Sequence, residues 1–308
     1  MSVQAPTAPA PVRRRGDVVF ASLARGAGIT ILVALAGVAI FLTLESVPAI
    51  TASPEEIGGD NILVYVWPLL FGTLLAAALA LLIATPLSIG LALVISHYAP
   101  RRLAKPIGYL IDLLAAVPSV VYGLWGIGFL GPRVYDAYGW LADNLGWLPF
   151  FEGPPNGRSI LTASIVLAIM ALPIITAICR EIFAQTPTLH QEAALALGAT
   201  RWEMIRMTVF PYGRSGMVSA VMLGLGRALG ETMAVAMVLS ATGVVTFNLI
   251  SSVNPSTIAA NIALKFPEAT GVDVNVLIFS GLVLFVVTFG VNFLGRAIAA
   301  RGAVKEER

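Results

Sequence analysis

The sequence predicts an all-α, polytopic integral membrane protein with six transmembrane helices, and three observations carry that expectation. Of its 308 residues, 57% are hydrophobic and 12% charged, about half the charged share of a soluble domain. The apolar residues come in blocks of about twenty or more, the length a helix needs to cross the hydrocarbon core of a bilayer. The cations gather in alternate connecting segments instead of spreading evenly, as the loops of a membrane protein require.

Taken in order, residues 1–22 predict a disordered cytoplasmic tail, rich in Pro and Ala and carrying Arg13, Arg14 and Arg15. The transmembrane domain then occupies residues 23–296. Its first span, residues 23–44, is too long for a signal-peptide core and lacks an A-x-A cleavage site, so it stays in the protein. Residues 45–61 form a loop with Pro48, Pro54, Gly58 and Gly59. Span two covers residues 66–95, with Pro86 as the kink site, and a short basic loop holding Arg101, Arg102 and Lys105 follows it. Span three covers residues 107–130, where small residues alternate with bulky ones and place Gly123 and Gly126 at a helix contact. Residues 131–158 form a loop rich in Trp, Tyr and Phe that suits a membrane surface; docking of a soluble partner is the competing reading.

Span four covers residues 160–179 with Pro173 inside, span five residues 216–242 and span six residues 274–294. A polar loop, residues 243–273, joins the last two, and residues 297–308 form a cytoplasmic tail. Orientation follows from counting Lys and Arg, because cytoplasmic segments carry the excess. With the N-terminus inside, fifteen fall on the cytoplasmic side and three outside (Arg133, Arg158 and Lys265), and Arg227 within a span completes the nineteen.

Several chemistries are excluded. The three lysines, Lys105, Lys265 and Lys305, lie in no phosphate-cradling G-x-x-x-x-G-K-[ST] loop, so the chain has no ATPase site of its own. It carries no Ser-His-Asp set, no HExxH helix and no cysteine cluster, so no catalytic residue is assigned. His97 and His190 have no metal-ligand spacing, and no metal site is expected. The lone Cys179 allows no internal disulfide. Membrane lipid is the expected surrounding, with no nucleic-acid partner.

The membrane-embedded charges stand out. Asp112 lies near the cytoplasmic start of span three, where capping or snorkelling explains it as well as a functional role does. Arg227 and Glu231 lie near the middle of span five, where each charge costs about 2.5–3.5 kcal/mol, so both must face protein or water. Their i, i+4 spacing on a continuous helix would put them on one face. Two readings stand: a self-neutralising pair that lets the helix insert, or a polar pathway left accessible by Gly224, Gly226 and Gly230.

The cytoplasmic stretch at residues 180–212 reads as two short helices with a turn between them. Thr188 with Gln191 and Thr200 with Glu203 each fit a capping box, Gly198 fits a left-handed helix stop, and Pro211 is expected to stop the second helix. Glu192, Ala193, Ala194, Gly198 and Pro211 match the spacing of the EAA loop of ATP-binding-cassette importer permeases; Thr208 and Phe210 replace the apolar end of that motif. The resemblance implies that this loop couples to an ATPase subunit, which would bind ATP and Mg.

A second likeness is more specific. The runs GLGRALGETMAV and VPSVVYGLWG are similar to the permeases of phosphate importers. This resemblance implies a type I, MetI-like permease architecture and a substrate pathway containing Arg227 and Glu231, flanked by Gly226, Gly230 and Thr232. It also implies a second, PstA-like permease, a dimer of PstB-like ATPases, a PstS-like extracytoplasmic phosphate-binding protein, and a place in a prokaryotic plasma membrane. The alternatives are a sulfate or molybdate permease, and an ion-driven secondary transporter using Arg227 and Glu231 as a proton relay.

Overall fold

The computed structural model describes residues 15–57 and 61–303. Among these residues the ordered elements are helices: α1 (Arg15–Thr51), α2 (Ile62–Leu93), α3 (Arg101–Ala115), α4 (Ser119–Trp125), α5 (Gly131–Leu145) and α6 (Ile160–Ala184). They continue as α7 (Thr188–Ala196), α8 (Arg201–Met204), α9 (Phe210–Gly230), α10 (Met233–Val238), α11 (Ile258–Lys265) and α12 (Val272–Ala303). The described residues form no β-strand, only one isolated bridge between Ala241 and Asn254.

Small residues build the central contact. Ala76, Ala80, Ala84, Ser88 and Ala92 recur every fourth position on α2 and are all fully buried, and α6 packs along them. Where lipid removes the hydrophobic drive between helices, close backbone approach and hydrogen bonds must hold them together. Ser88 supplies both: its hydroxyl donates to the Leu172 carbonyl at 3.2 Å, and its own carbonyl accepts from the Thr176 hydroxyl at 3.4 Å. The helix runs unbroken through Pro86. On the outside, α1 packs along α12, with most of its apolar side chains exposed as a lipid-facing helix requires.

Three single-turn π-segments interrupt the helices: Val94–Tyr98, Gly126–Leu130 and Ile205–Val209. Each is closed by an N–H bonded five residues back, from Ala99, Gly131 and Phe210, and in each case the next residue is a proline: Pro100, Pro132 and Pro211. A proline cannot donate, and its ring crowds the carbonyl four residues back. The wider turn relieves that crowding.

This explains the first correction. Pro211 does not stop the second helix of the residues 180–212 stretch; the chain passes from α8 through the π-turn into α9 without leaving the helical path. Span three is also corrected. Pro118 disfavours helix at the residue before it, and the chain bends by 94° between Arg102–Ala115 and Ser119–Leu145. The helix beyond the bend absorbs the first half of the expected aromatic loop. Gly123 and Gly126 do sit at a helix contact, against Ala234, Met237 and Val238 of α10.

Helix also starts earlier than expected, at Arg15, and α1 runs through Pro48 to Thr51, so the loop at residues 45–61 is shorter than its composition suggests. At the other end α12 runs to Ala303 and takes in part of the expected tail. The tail residues 1–14 and 304–308, with Gly58, Gly59 and Asp60, lie outside the described residues.

Four helices, within α1, α2, α6 and α12, are long and apolar enough to cross a membrane, and the bent pair makes a fifth. The segment α9 does not reach that standard alone, because Arg214, Arg227 and five glycines lower its apolar content.

The middle of the expected polar loop at residues 243–273, residues 254–261, lies inside the fold, while both of its ends are exposed. Asn254 is fully buried and holds it there. Its Oδ1 accepts from the Ile160 N–H at 3.0 Å, and its amide donates to the carbonyls of Ser240 at 3.1 Å and Ser251 at 3.0 Å. Thr257 then caps α11, and the Ile258 N–H donates to the Thr73 hydroxyl on α2 at 2.9 Å. Buried backbone that is neither helix nor sheet needs such partners. Gly72 permits the approach, since a side chain there would meet the Ser256 carbonyl.

Candidate functional site

Two groups of residues carry the candidate chemistry, one at a helix break in the bundle and one at the end formed by α7 and α8. The break is at Glu231. Helix α9 ends at Gly230, Glu231 is extended at φ −70° and ψ 127°, and α10 begins at Met233. The expectation that Arg227 and Glu231 share a helix face is therefore corrected. No ion pair within 4.0 Å joins them, and the pair found among the described residues is Arg180 with Asp112 at 3.6 Å. The reading of a self-neutralising Arg227–Glu231 pair loses its structural ground.

What replaces the pair is two separately anchored groups. Glu231 Oε1 accepts from the Ala234 N–H at 3.2 Å, which fixes the carboxylate at the start of α10. Arg227 Nε is buried and has no hydrogen-bond partner among the described residues. Buried donors are seldom left unsatisfied, so this one marks a guanidinium that the surrounding residues do not hold. An added side-chain carbon at Gly226 or Gly230 would meet open space, whereas Gly224 packs on Ile175. Both open glycines thus border the unfilled side of α9, and the Thr232 hydroxyl turns back to the Gly230 carbonyl at 3.2 Å. Of the five predicted pathway residues, Arg227, Gly226, Gly230, Glu231 and Thr232 all fall within or beside this break.

The level of the break follows from packing. Ala228 and Leu229 pack on Ala77 of α2, and Arg227 lies about 25 Å along α9 from Phe210 at about 1.5 Å per residue. Counted from Gly216, where the expected span begins, the distance is about 16 Å, close to half of a hydrocarbon core about 30 Å thick.

At the other end, α7 and α8 form the expected helix pair. Gly198 has φ +87°, the left-handed conformation that glycine takes without penalty. Thr200 and Glu203 complete a reciprocal capping box. The Glu203 carboxyl is held below its usual range, first by the hydrogen bond from the Thr200 N–H and then by that from its hydroxyl. The Thr188 box does not form: Pro187 is the N-cap, and Gln191 donates to the Thr186 carbonyl at 3.1 Å. Ala194 is buried, while Glu192, Ala193 and Pro211 are exposed.

The pair presents an apolar surface outward, with Leu189 at 72%, Leu197 at 88% and Trp202 at 53% exposure. Exposed apolar side chains of this kind are available to a partner protein. Behind it, Arg180 ties the end of α6 to Asp112 on α3, so Asp112 has a structural partner. Sequence reading did not single out that pair or Asn254. The Val-Pro at 117–118 was the available signal for the bend that brings Asp112 to Arg180.

Comparison with known proteins agrees with this arrangement. The chain is 46% identical over 301 residues to the phosphate transport system permease protein PstC 2 of Mycobacterium tuberculosis, covering 93% of this chain and 92% of that protein. It is 41% identical over 303 residues to the phosphate transport system permease protein PstC of Mycobacterium leprae, with 94% of each covered. In fold it resembles a chain of the inward-facing MetNI methionine ABC transporter, at 15% identity and a TM-score of 0.53, over 77% of this chain and 94% of that one. Residues 84–302 match the family described as binding-protein-dependent transport system inner membrane component, and the chain belongs to that family.

Proposed function

We propose that this chain is the membrane-spanning permease subunit of an ATP-driven importer of inorganic phosphate, with the ATPase on a separate subunit. The observation that carries the reading is its nearly full-length likeness to permeases named for phosphate transport. The buried, unpartnered Arg227 Nε beside open glycines supports it physically. A guanidinium offers five donors in a fixed fork that suits an oxyanion. Ionised Glu231 only accepts. One of its oxygens is committed to Ala234, and the other can take the proton of a protonated phosphate, whereas fully ionised sulfate brings no donor and meets repulsion.

ATP-driven closure of a partner ATPase dimer, which would hold the ATP and Mg, would act through α7 and α8 on α9. Of the two, α8 runs on into that span without a break, so movement of the docked pair would pass through α8 to the segment carrying Arg227. A PstA-type permease would complete the pathway, PstB-type subunits would supply the ATPase dimer, and a PstS-type protein would deliver phosphate from outside. The test is uptake by the reconstituted complex in vesicles. Phosphate entry that needs ATP and ignores a proton gradient is expected; entry driven by the gradient without ATP would overturn the reading in favour of a secondary transporter.

The fifteen-to-three distribution of Lys and Arg supports a plasma membrane orientation with the N-terminus, the residues 180–212 loop and the C-terminus all cytoplasmic. A reporter fused near Pro187 should be active only in the cytoplasmic form. Extracytoplasmic activity there would reverse the topology and remove the coupling role with it.

A further inference from the structure

We propose that the outer end of the bundle holds a second oxyanion site, built around Lys265, Tyr65 and Asn261, that receives phosphate before it reaches Arg227. The inference rests on the phosphate-importer reading. Tyr65 lies on α2 twelve residues before Ala77, which packs on Ala228 beside Arg227. That places it about 18 Å further toward the outer face.

The hydrogen bonds set the chemistry. Tyr65 Oη accepts twice, from Asn261 Nδ2 at 2.9 Å and from Lys265 Nζ at 3.3 Å. With two N–H groups directed at that oxygen, the phenol proton is free to turn outward, and the ammonium keeps two further donors. The ammonium also lies 5.0 Å from the Tyr65 ring centroid, which holds the cation in place. Among the described residues Lys265 has no carboxylate within 4.0 Å.

Two cavities meet at this cluster. One, of about 390 Å³, is lined by Glu268 and Asp273 and repels anions. The other, of about 460 Å³, has no acidic residue in its wall and adds the hydroxyl residues Thr242 and Ser256 to Lys265, Tyr65 and Asn261. Ser256 and Asn261 are themselves buried. The Thr242 and Ser256 hydroxyls donate to the Asn254 and Thr257 carbonyls, which leaves the Lys265 ammonium, the Tyr65 phenol and the second Asn261 N–H as donors, with no competing carboxylate among the described residues of that wall; an anion that accepts several hydrogen bonds at once, as inorganic phosphate does, fits them. The acidic neighbour keeps the site shallow, since a deep outer site would hold the anion instead of passing it inward.

The chain has only three lysines, and Lys105 and Lys305 fall on the cytoplasmic side of the proposed topology. An impermeant amine-acylating reagent added outside right-side-out vesicles containing the whole complex should therefore modify Lys265 alone in this subunit, as read by mass spectrometry. Inorganic phosphate is expected to slow that modification severalfold, while chloride at equal ionic strength does not, and Tyr65→Phe should weaken the protection. Lys265→Gln is expected to slow uptake from saturating loaded binding protein by about tenfold, the loss of one charged hydrogen bond, with Lys265→Arg keeping most of the rate. Modification indifferent to phosphate, or slowed equally by chloride, would overturn the site, as would wild-type uptake in Lys265→Gln. Protection is read on the wild-type complex whether or not it transports. A complex that is protected but moves no phosphate therefore refutes the functional reading and leaves the anion site standing.

Discussion

Arg227→Gln is expected to lower phosphate uptake by about a hundredfold or more while the complex still assembles in the membrane. Each lost charge-assisted hydrogen bond to the anion is worth about 1.5–3 kcal/mol, and a guanidinium can make two at once. Assembly should survive because Arg227 is not holding another element: it has no ion pair within 4.0 Å, and its buried Nε has no partner among the described residues. Glu231→Gln should behave differently. The glutamine carbonyl can still accept from the Ala234 N–H, so the start of α10 is kept, but the free carboxylate oxygen proposed to discriminate against sulfate is gone. Uptake is expected to fall, or sulfate to compete where it did not before. The decisive comparison is the double substitution. Were the two charges merely neutralising each other, removing both would restore transport; separate anchoring predicts a double mutant no better than Arg227→Gln. Phosphate uptake and membrane levels of the assembled complex for all three variants decide it, and full uptake by the double mutant would remove Arg227 and Glu231 from the pathway.

The residues of this site were legible in the sequence, but their geometry was not. Arg and Glu in an apolar run are conspicuous because burial is costly, and no neighbour can hide that. The helix break between them is quiet. The run from Ala228 to Val238 has no proline and one glycine, and its apolar content reads as continuous helix; local propensity does not encode the extended Glu231. The turn between α7 and α8 was legible for the opposite reason. Gly198 and the Thr200–Glu203 box act within a few residues, so their effect travels with the local sequence. Pro211 misled because a proline normally ends a helix, and only the hydrogen-bond shift of the π-turn before it shows how the helix continues. Asn254 gave no signal at all. Its partners, Ile160 and Ser240, are 94 and 14 residues away, and an asparagine in a polar stretch looks like any loop residue.

Gly198→Val is expected to uncouple ATP hydrolysis from transport. At φ +87° a side chain with a β-carbon costs about 1–2 kcal/mol, and a β-branched one more. Nothing lies within 4 Å of the position an added carbon would take, so the penalty belongs to the backbone alone and repacking of neighbours cannot relieve it. The chain can escape only by changing the turn. That turn is closed by the Gly198 N–H on the Leu195 carbonyl at 3.0 Å and the Ala199 N–H on the Ala194 carbonyl at 3.2 Å, and these bonds set the angle between α7 and α8. Re-aiming the pair moves Leu189 and Leu197 away from Trp202, which divides the apolar patch that would seat on the ATPase, while the capping box still preserves α8. The complex should then hydrolyse ATP without the stimulation that loaded binding protein gives, and take up little phosphate. Gly198→Asn supplies the control, because asparagine visits the left-handed region more readily than other side chains and should keep most of the coupling. Uptake and ATPase activity measured on the same preparation of each variant test the point. Normal uptake with normal stimulation in Gly198→Val would mean that force reaches α9 by another route.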